Sequence, residues 1–237
     1  MVRLNKYLAD CGVGSRRACD LLISSGRVAV NRRVETRLGT RIDERNDEVW
    51  VDGRPLTRPD RFEYILLHKP KGVVTTAADE LGRQTVLDLV RARVRVFPVG
   101  RLDKETTGLL LLTNDGALAY RLTHPRFKVP KTYEVLLDRP LTAEDRQTLQ
   151  RGVVLEEGRT APCSVRFPSA RHKQRVHIIL HQGWKRQVRR MFAQLGYDVR
   201  ALKRLAMGPL SLDGLKPGAW RRLNAKEVAA LKKELEL

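Results

Sequence analysis

Apolar residues in the first sixty positions recur first at helical spacing and then in alternation. Leu4, Tyr7 and Leu8 share one face of a short helix that stops at Cys11-Gly12, where the glycine accepts a left-handed cap conformation. Ser15 predicts the cap of a second helix over 16–24, with Ala18, Leu21 and Leu22 at i, i+3 and i+4 and Gly26 ending it. Val28-Ala29-Val30-Asn31 reads as a strand, and Glu48-Val49-Trp50-Val51-Asp52-Gly53 as another that ends in a glycine turn. The charged, proline-containing Thr57-Arg58-Pro59-Asp60 follows as a linker. The pattern predicts a small module over residues 1–58 and a larger domain over 59–237.

In the larger domain short apolar runs predict strands over 64–67, 72–75, 96–99, 109–112, 133–137 and 176–180. Helical patterns fall over 85–93, 117–122, 143–151, 185–195 and 225–235, and Asn224 with Glu227 forms a reciprocal capping pair for the last. Helices and strands mix without one-to-one alternation. That predicts an α+β fold with a mixed, mainly antiparallel sheet rather than a doubly wound parallel one.

Charge narrows the possible partners. The 237 residues hold 46 Lys+Arg against 27 Asp+Glu, a formal net charge of +19. The excess is blocked: +6 over residues 1–41, −3 over 42–60 and +8 over 183–222. Arginine supplies 33 of the 46 cations, and its planar fork suits phosphate oxygens and stacks on bases. Nucleic acid is therefore the expected partner. Arg16 and Arg17 sit in a helix's first turn, where they oppose the dipole at a cost of some tenths of a kcal/mol unless a phosphate arrives there.

No aromatic-faced basic helix suggests a membrane surface, no apolar run approaches the ~20 residues needed to span a bilayer, and Met1 to Lys6 carries no hydrophobic leader. A cytoplasmic protein without membrane contact is expected. Cys11, Cys19 and Cys163 are odd in number and lack CxxC spacing, and no glycine-rich nucleotide loop is present. Neither a metal nor a cofactor is expected.

The segment from Phe97 to Gly116 carries the candidate chemistry. Its Gly100-Arg101-Leu102-Asp103-Lys104 sits in a loop between two strands, where a side chain stands open to a ligand. Cations on both sides favour the ionised form of Asp103, which places one anion within a surface built to bind anions. On physics alone a turn aspartate in an ion pair is the simpler reading, and Asp115 in Asn-Asp-Gly fits that reading.

Residues 2–52, with Leu4-Asn5-Lys6-Tyr7-Leu8-Ala9, Gly14-Ser15-Arg16-Arg17-Ala18 and Ser25-Gly26-Arg27-Val28-Ala29-Val30-Asn31, resemble the S4 RNA-binding domain. The resemblance implies that Lys6, Arg16, Arg17 and Arg27 contact RNA phosphates. Gly-Arg-Leu-Asp followed by Thr-Thr-Gly-Leu-Leu-Leu-Leu-Thr-Asn-Asp-Gly joins three further runs: His68-Lys69-Pro70-Lys71-Gly72, Lys131-Thr132-Tyr133-Glu134-Val135 and Gly183-Trp184-Lys185-Arg186-Gln187-Val188-Arg189-Arg190-Met191. Together these are similar to the S4-bearing ribosomal pseudouridine synthases, both those that modify small-ribosomal RNA and those that modify large-ribosomal RNA, and closest to the second group. His68 departs from the asparagine common at that place.

That resemblance implies an isomerase that detaches uracil from ribose C1′, turns it and rejoins it through C5, without a cofactor or metal. It implies Asp103 as the catalytic carboxylate, leaving open whether it attacks C1′, adds to the ring or takes a ribose proton. By the same resemblance the Tyr133 ring packs on the target base and Arg189 pairs with Asp103. The target must be extruded from folded RNA, and Arg101 is expected to fill the gap, because a guanidinium plane both stacks and bonds to phosphate. Lys69, Lys71, Lys185, Arg186, Arg190, Lys203 and Arg204 are further candidates for RNA contact. The implied partner is ribosomal RNA, 23S before 16S, bound by a monomer. A non-catalytic RNA-binding assembly factor is the alternative, and a hydrolase pairing Asp103 with Glu105 a minor third.

Overall fold

Apolar spacing and capping chemistry produce the helices of the first sixty residues. In this computed structural model, which describes residues 1–169 and 171–237, α1 covers Leu4–Asp10 and α2 covers Arg16–Ser24. The Ser15 hydroxyl accepts from the Ala18 N–H at 3.2 Å, closing the α2 cap. The buried stripe of α2 is rotated from the expected one: Cys19 and Ile23 are buried, and Leu21 is 71% exposed. Strands β1 (Val2–Arg3) and β4 (Arg41–Ile42) pair antiparallel, and β2 (Val28–Val30), β3 (Arg33–Val34), β5 (Val49–Val51) and β6 (Arg54–Pro55) form a sheet in the order β3-β2-β5-β6. Leu4, Leu8, Ile23, Val28, Ile42 and Val49 make the core. Arg58, expected in a free linker, instead bonds Asp10 at 2.8 Å, pairs with Glu44 and lies 5.5 Å over the Tyr7 ring.

This unit comprises Met1–Glu63 with Ala92–Val96 and Asn114–Gly116; a second comprises Tyr64–Arg91, Phe97–Thr113 and Ala117–Leu237. The second unit's strands are β7 (Tyr64–Lys69), β8 (Phe97–Pro98), β9 (Thr107–Thr113), β10 (Lys131–Leu137), β11 (Val154–Leu155), β12 (Gly158–Arg159), β13 (Ser164–Arg166), β14 (Arg175–Leu180), β15 (Val199–Met207), β16 (Leu210–Ser211) and β17 (Trp220–Arg222). Its helices are α3 (Gly116–Thr123, whose first residue belongs with the small unit), α4 (Ala143–Arg151), α5 (Gln187–Gln194) and α6 (Ala225–Glu234). The capping pair of Asn224 and Glu227 is present on α6. No described helix is long and apolar enough to cross a membrane.

The main sheet runs β13-β14-β10-β15-β9-β7-β17. Among the described residues its two antiparallel halves meet at a single parallel pair, β15 with β9, where Lys203 faces Thr107 and Arg204 faces Gly108. Leu109 to Leu112 and Ile65 to Leu67 are fully buried, as strands covered on both faces must be. One core packs β7 and β9 against α3 and α6 through Leu66, Leu111, Leu118 and Leu231. The other packs β10 and β14 against α4 and α5 through Val135, Leu149, Ile178 and Phe192. The sheet class matches the expectation, but the helix expected over 85–93 is absent: the Asp88 carboxylate accepts from both the N–H and the hydroxyl of Thr85, closing one local turn. The strand expected over 72–75 reduces to one bridge between Val74 and Thr85.

Candidate active site

The loop before β9 presents Asp103, and its backbone is tied on both flanks. Gly100 turns the chain at φ +70°. The Thr75 hydroxyl donates to Leu102 O at 2.8 Å, the Gly72 N–H donates to Lys104 O at 2.9 Å, and the Thr106 N–H closes onto Asp103 O at 3.0 Å. Lys69 completes the clamp: its ammonium donates to the carbonyls of Pro70, Lys104 and Thr106 at 3.0, 3.1 and 2.9 Å. Lys69 was expected on an RNA-facing surface and is fully buried, because it ends a strand flanked by β9 and β17. Burial pushes its pKa down to about 8, against the opposing pull of Glu105 and Asp103.

Asp103 opens into a cavity of about 370 Å³ that also takes in Arg101, Tyr133, Trp184, Lys185 and Arg186, and it is the one carboxylate among the lining residues. Glu105 does not line this cavity and pairs with Lys71 at 3.1 Å, so the carboxylate pair a hydrolase would need is not assembled. Tyr133 enters from β10, opposite Arg204 of β15, beside a register shift between Thr132 and Tyr133 that re-aims the strand. The far wall is the turn into α5. Gln187 sews it together, accepting from the Trp184 N–H at 3.1 Å and donating to the Gln182 amide oxygen at 3.1 Å. Arg186 caps α5 in the left-handed region at φ 52°.

A family model for RNA pseudouridylate synthases matches residues 63–194, which hold this cavity's loop, strand and helix, and one for the S4 domain matches residues 2–49. The chain belongs to the RNA pseudouridine synthase family. Ribosomal large subunit pseudouridine synthase B of Bacillus subtilis (strain 168) is 42% identical over 236 residues, covering 98% of this chain and 96% of that protein. An uncharacterized RNA pseudouridine synthase of Aquifex aeolicus (strain VF5) is 42% identical over 239 residues, covering 100% and 96%. A solved pseudouridylate synthase structure superposes with a TM-score of 0.71 at 30% identity, over 98% of this chain and all of that one.

The synthase, an isomerase by family, departs from the sequence expectations at several side chains. Arg189 makes no ion pair with Asp103 within 4.0 Å; its Nη1 donates to Val199 O at 2.9 Å, which holds the guanidinium behind the cavity wall. Burial and Arg186 lower its pKa, while Asp103 and Glu105 act in the opposite sense, so the two charges feel each other without contact. Arg190 is taken up by Glu157 of the β11–β12 turn in a bidentate pair at 2.8 and 2.6 Å. Arg204 is buried rather than surface-facing, with Nε donating to Leu109 O at 2.7 Å. Lys185 and Arg186 are exposed, and Lys203 is half-buried.

In the S4 unit Arg16 and Arg17 are exposed without ion-pair partners among the described residues, Arg27 pairs with Asp52 at 2.6 Å and Lys6 pairs with Asp10 at 2.6 Å. His68 is absorbed into the fold, its Nδ1 2.7 Å from Leu215 O and its pKa lowered by burial. Sequence reasoning missed Thr75, Gln187 and Lys131 as contributors to the site. Lys131 and Gln187 stood within quoted motifs with no role read for either, whereas Thr75 acts on the backbone of Leu102 from a loop distant in sequence, which no spacing rule reports.

Proposed function

We propose that the synthase converts a uridine of 23S ribosomal RNA to pseudouridine with Asp103 as the catalytic carboxylate. The observation that carries the role of Asp103 is its position as the single anion in a cavity otherwise edged by Arg101, Lys185 and Arg186. Full-length similarity to a large-ribosomal synthase supports the choice of RNA. In the reaction the C1′–N1 bond breaks, uracil turns, C1′–C5 forms, C5 gives up its proton and N1 gains one. A loop clamped through Leu102, Lys104 and Thr106 fixes the carboxylate against the extruded nucleotide, and such positioning is worth several kcal/mol of barrier. Tyr133 supplies a ring for the base, and Arg189 orients Asp103 electrostatically from behind. Arg101, exposed and shared by the cavity rim, replaces the extruded base in the RNA stack.

Pseudouridine mapping on rRNA treated with wild type, Asp103→Asn and Arg101→Ala tests this reading. Wild type is expected to modify one 23S uridine, Asp103→Asn to leave background, and Arg101→Ala to lose activity on folded rRNA while keeping it on an unstructured fragment. Equal modification by wild type and Asp103→Asn sinks the catalytic role, and modification confined to 16S redirects the target.

A further inference from the structure

A second cavity of about 220 Å³ adjoins the first, sharing Arg101, Tyr133 and Trp184 with it, and takes in Lys131 and Arg204. Arg204 is 2% exposed, its guanidinium makes the one hydrogen bond to Leu109 O, and its Nη2 is buried without a partner. Lys131 donates to Val129 O at 3.2 Å. Neither cation has a carboxylate within 4.0 Å among the described residues, and no Asp or Glu lines this cavity. Strand register builds the arrangement: Arg204 of β15 stands opposite Tyr133 of β10, and Lys131 lies two residues before Tyr133.

Arg204 is a buried cation without an opposite charge, which is costly, and the half-buried Lys131 beside the same cavity raises that cost. Burial and the Arg204 charge push the Lys131 pKa down to about 8, which reports the same repulsion. A neutral base entering the cavity leaves both charges uncompensated, whereas a phosphodiester oxygen pair answers them with charge-assisted hydrogen bonds. Resting on the reaction proposed above, we propose that this cavity binds one phosphodiester of the RNA beside the target uridine, with Arg204 and Lys131 as its cations. Tyr133, common to both cavities, then links the seat of the phosphate to the seat of the base, and fixing that phosphate holds the nucleotide in its extruded position.

The test uses the full chain and a short RNA carrying the uridine that wild type modifies, with a neutral methylphosphonate placed at each linkage around it in turn. Kd is read by fluorescence anisotropy and kcat by pseudouridine formation. One linkage is expected to weaken wild-type binding about tenfold when neutralised. Lys131→Gln should weaken binding of the natural RNA by a similar factor and lose sensitivity to that linkage, with the slope of log affinity against log salt falling by about 0.7 to 0.9. Arg204→Gln, which also removes the charge, should behave likewise, and if it fails to fold Lys131→Gln carries the test alone. Phosphonates that cost wild type and Lys131→Gln equally, or cost neither, overturn the phosphate seat while the reaction stands. Failure of wild type to modify any rRNA overturns the reaction and this seat with it.

Discussion

In the S4 unit Lys6 pairs with Asp10 and Arg27 with Asp52 near the surface, while in the large unit Lys69, Lys131 and Arg204 lie among carbonyl oxygens with no carboxylate within 4.0 Å among the described residues. Exposed pairs of the first kind contribute about 0–1 kcal/mol and are screened by salt, so a phosphate can replace the carboxylate with little loss. Cations of the second kind cannot leave their positions without stranding a charge or emptying a clamp. The difference separates two uses of a +19 chain: adjustable attraction on one unit, fixed placement of one loop and one cavity on the other.

That contrast breaks first at Gly108. It stands at φ +113°, and a Cβ there would meet Arg204 O at 2.2 Å and Arg204 N at 2.5 Å, both backbone atoms that cannot swing away. Gly108→Ala should therefore pry β9 from β15 at the parallel junction of the sheet, costing on the order of 2–5 kcal/mol from overpacking and backbone strain together. Denaturant unfolding of the variant checks this. A stability within about 0.5 kcal/mol of wild type, the range of an ordinary surface substitution, would mean that the junction holding Arg204 is looser than the geometry implies.

Much of this was legible in the sequence. The caps at Ser15 and Asn224 and the runs at Leu109 to Leu112 and Val176 to Leu180 follow from local spacing, whereas Asp103 stands out only through the resemblance of its motif, since local physics alone reads it as a turn aspartate. β15 was not, because Val199 to Met207 interleaves Arg and Lys with apolar residues and alternates like neither a surface strand nor a helix. Of its three cations only Arg204 is buried, its Nε held by the distant Leu109 O and its Nη2 left without a partner, an arrangement that local spacing does not report. Lys69 was misplaced for the same reason: a lysine after a buried strand reads as solvated until the three carbonyls it serves are in place.

The buried side of the contrast sharpens with pH. Lys69 titrates near 8 in the folded chain, below its ordinary value of 10.5, so the unfolded state binds more protons between those two values and stability rises with pH across that window. Lys131 shifts in the same direction, while Cys19 and Cys163, pushed up to about 11 by burial, act oppositely above pH 9. Comparison with Lys69→Met isolates one residue. The stability of wild type minus that of the variant should grow by up to roughly 3 kcal/mol from pH 8 to pH 10.5 and stay level below pH 8. A flat difference across the window would mean that the clamp's three carbonyls hold the ammonium charged at no net cost.

The smallest effects belong to the exposed side, at Arg16 and Arg17. Both occupy the first turn of α2, a helix with no acidic residue there, where a positive charge opposes the dipole. Replacing either with alanine should leave stability unchanged or raise it by some tenths of a kcal/mol, yet weaken rRNA binding by no more than about fivefold. The slope of log affinity against log salt should fall by about 0.7 to 0.9 for each arginine that touches a phosphate. Salt titrations of Arg16→Ala, Arg17→Ala and the double variant measure this directly. A slope that drops with each substitution while the fold is untouched is the mark of residues kept for RNA against the helix's own preference. An unchanged slope in the double variant would make both arginines solvated surface, leaving Lys6, Arg27 and the fixed cations of the large unit to account for binding.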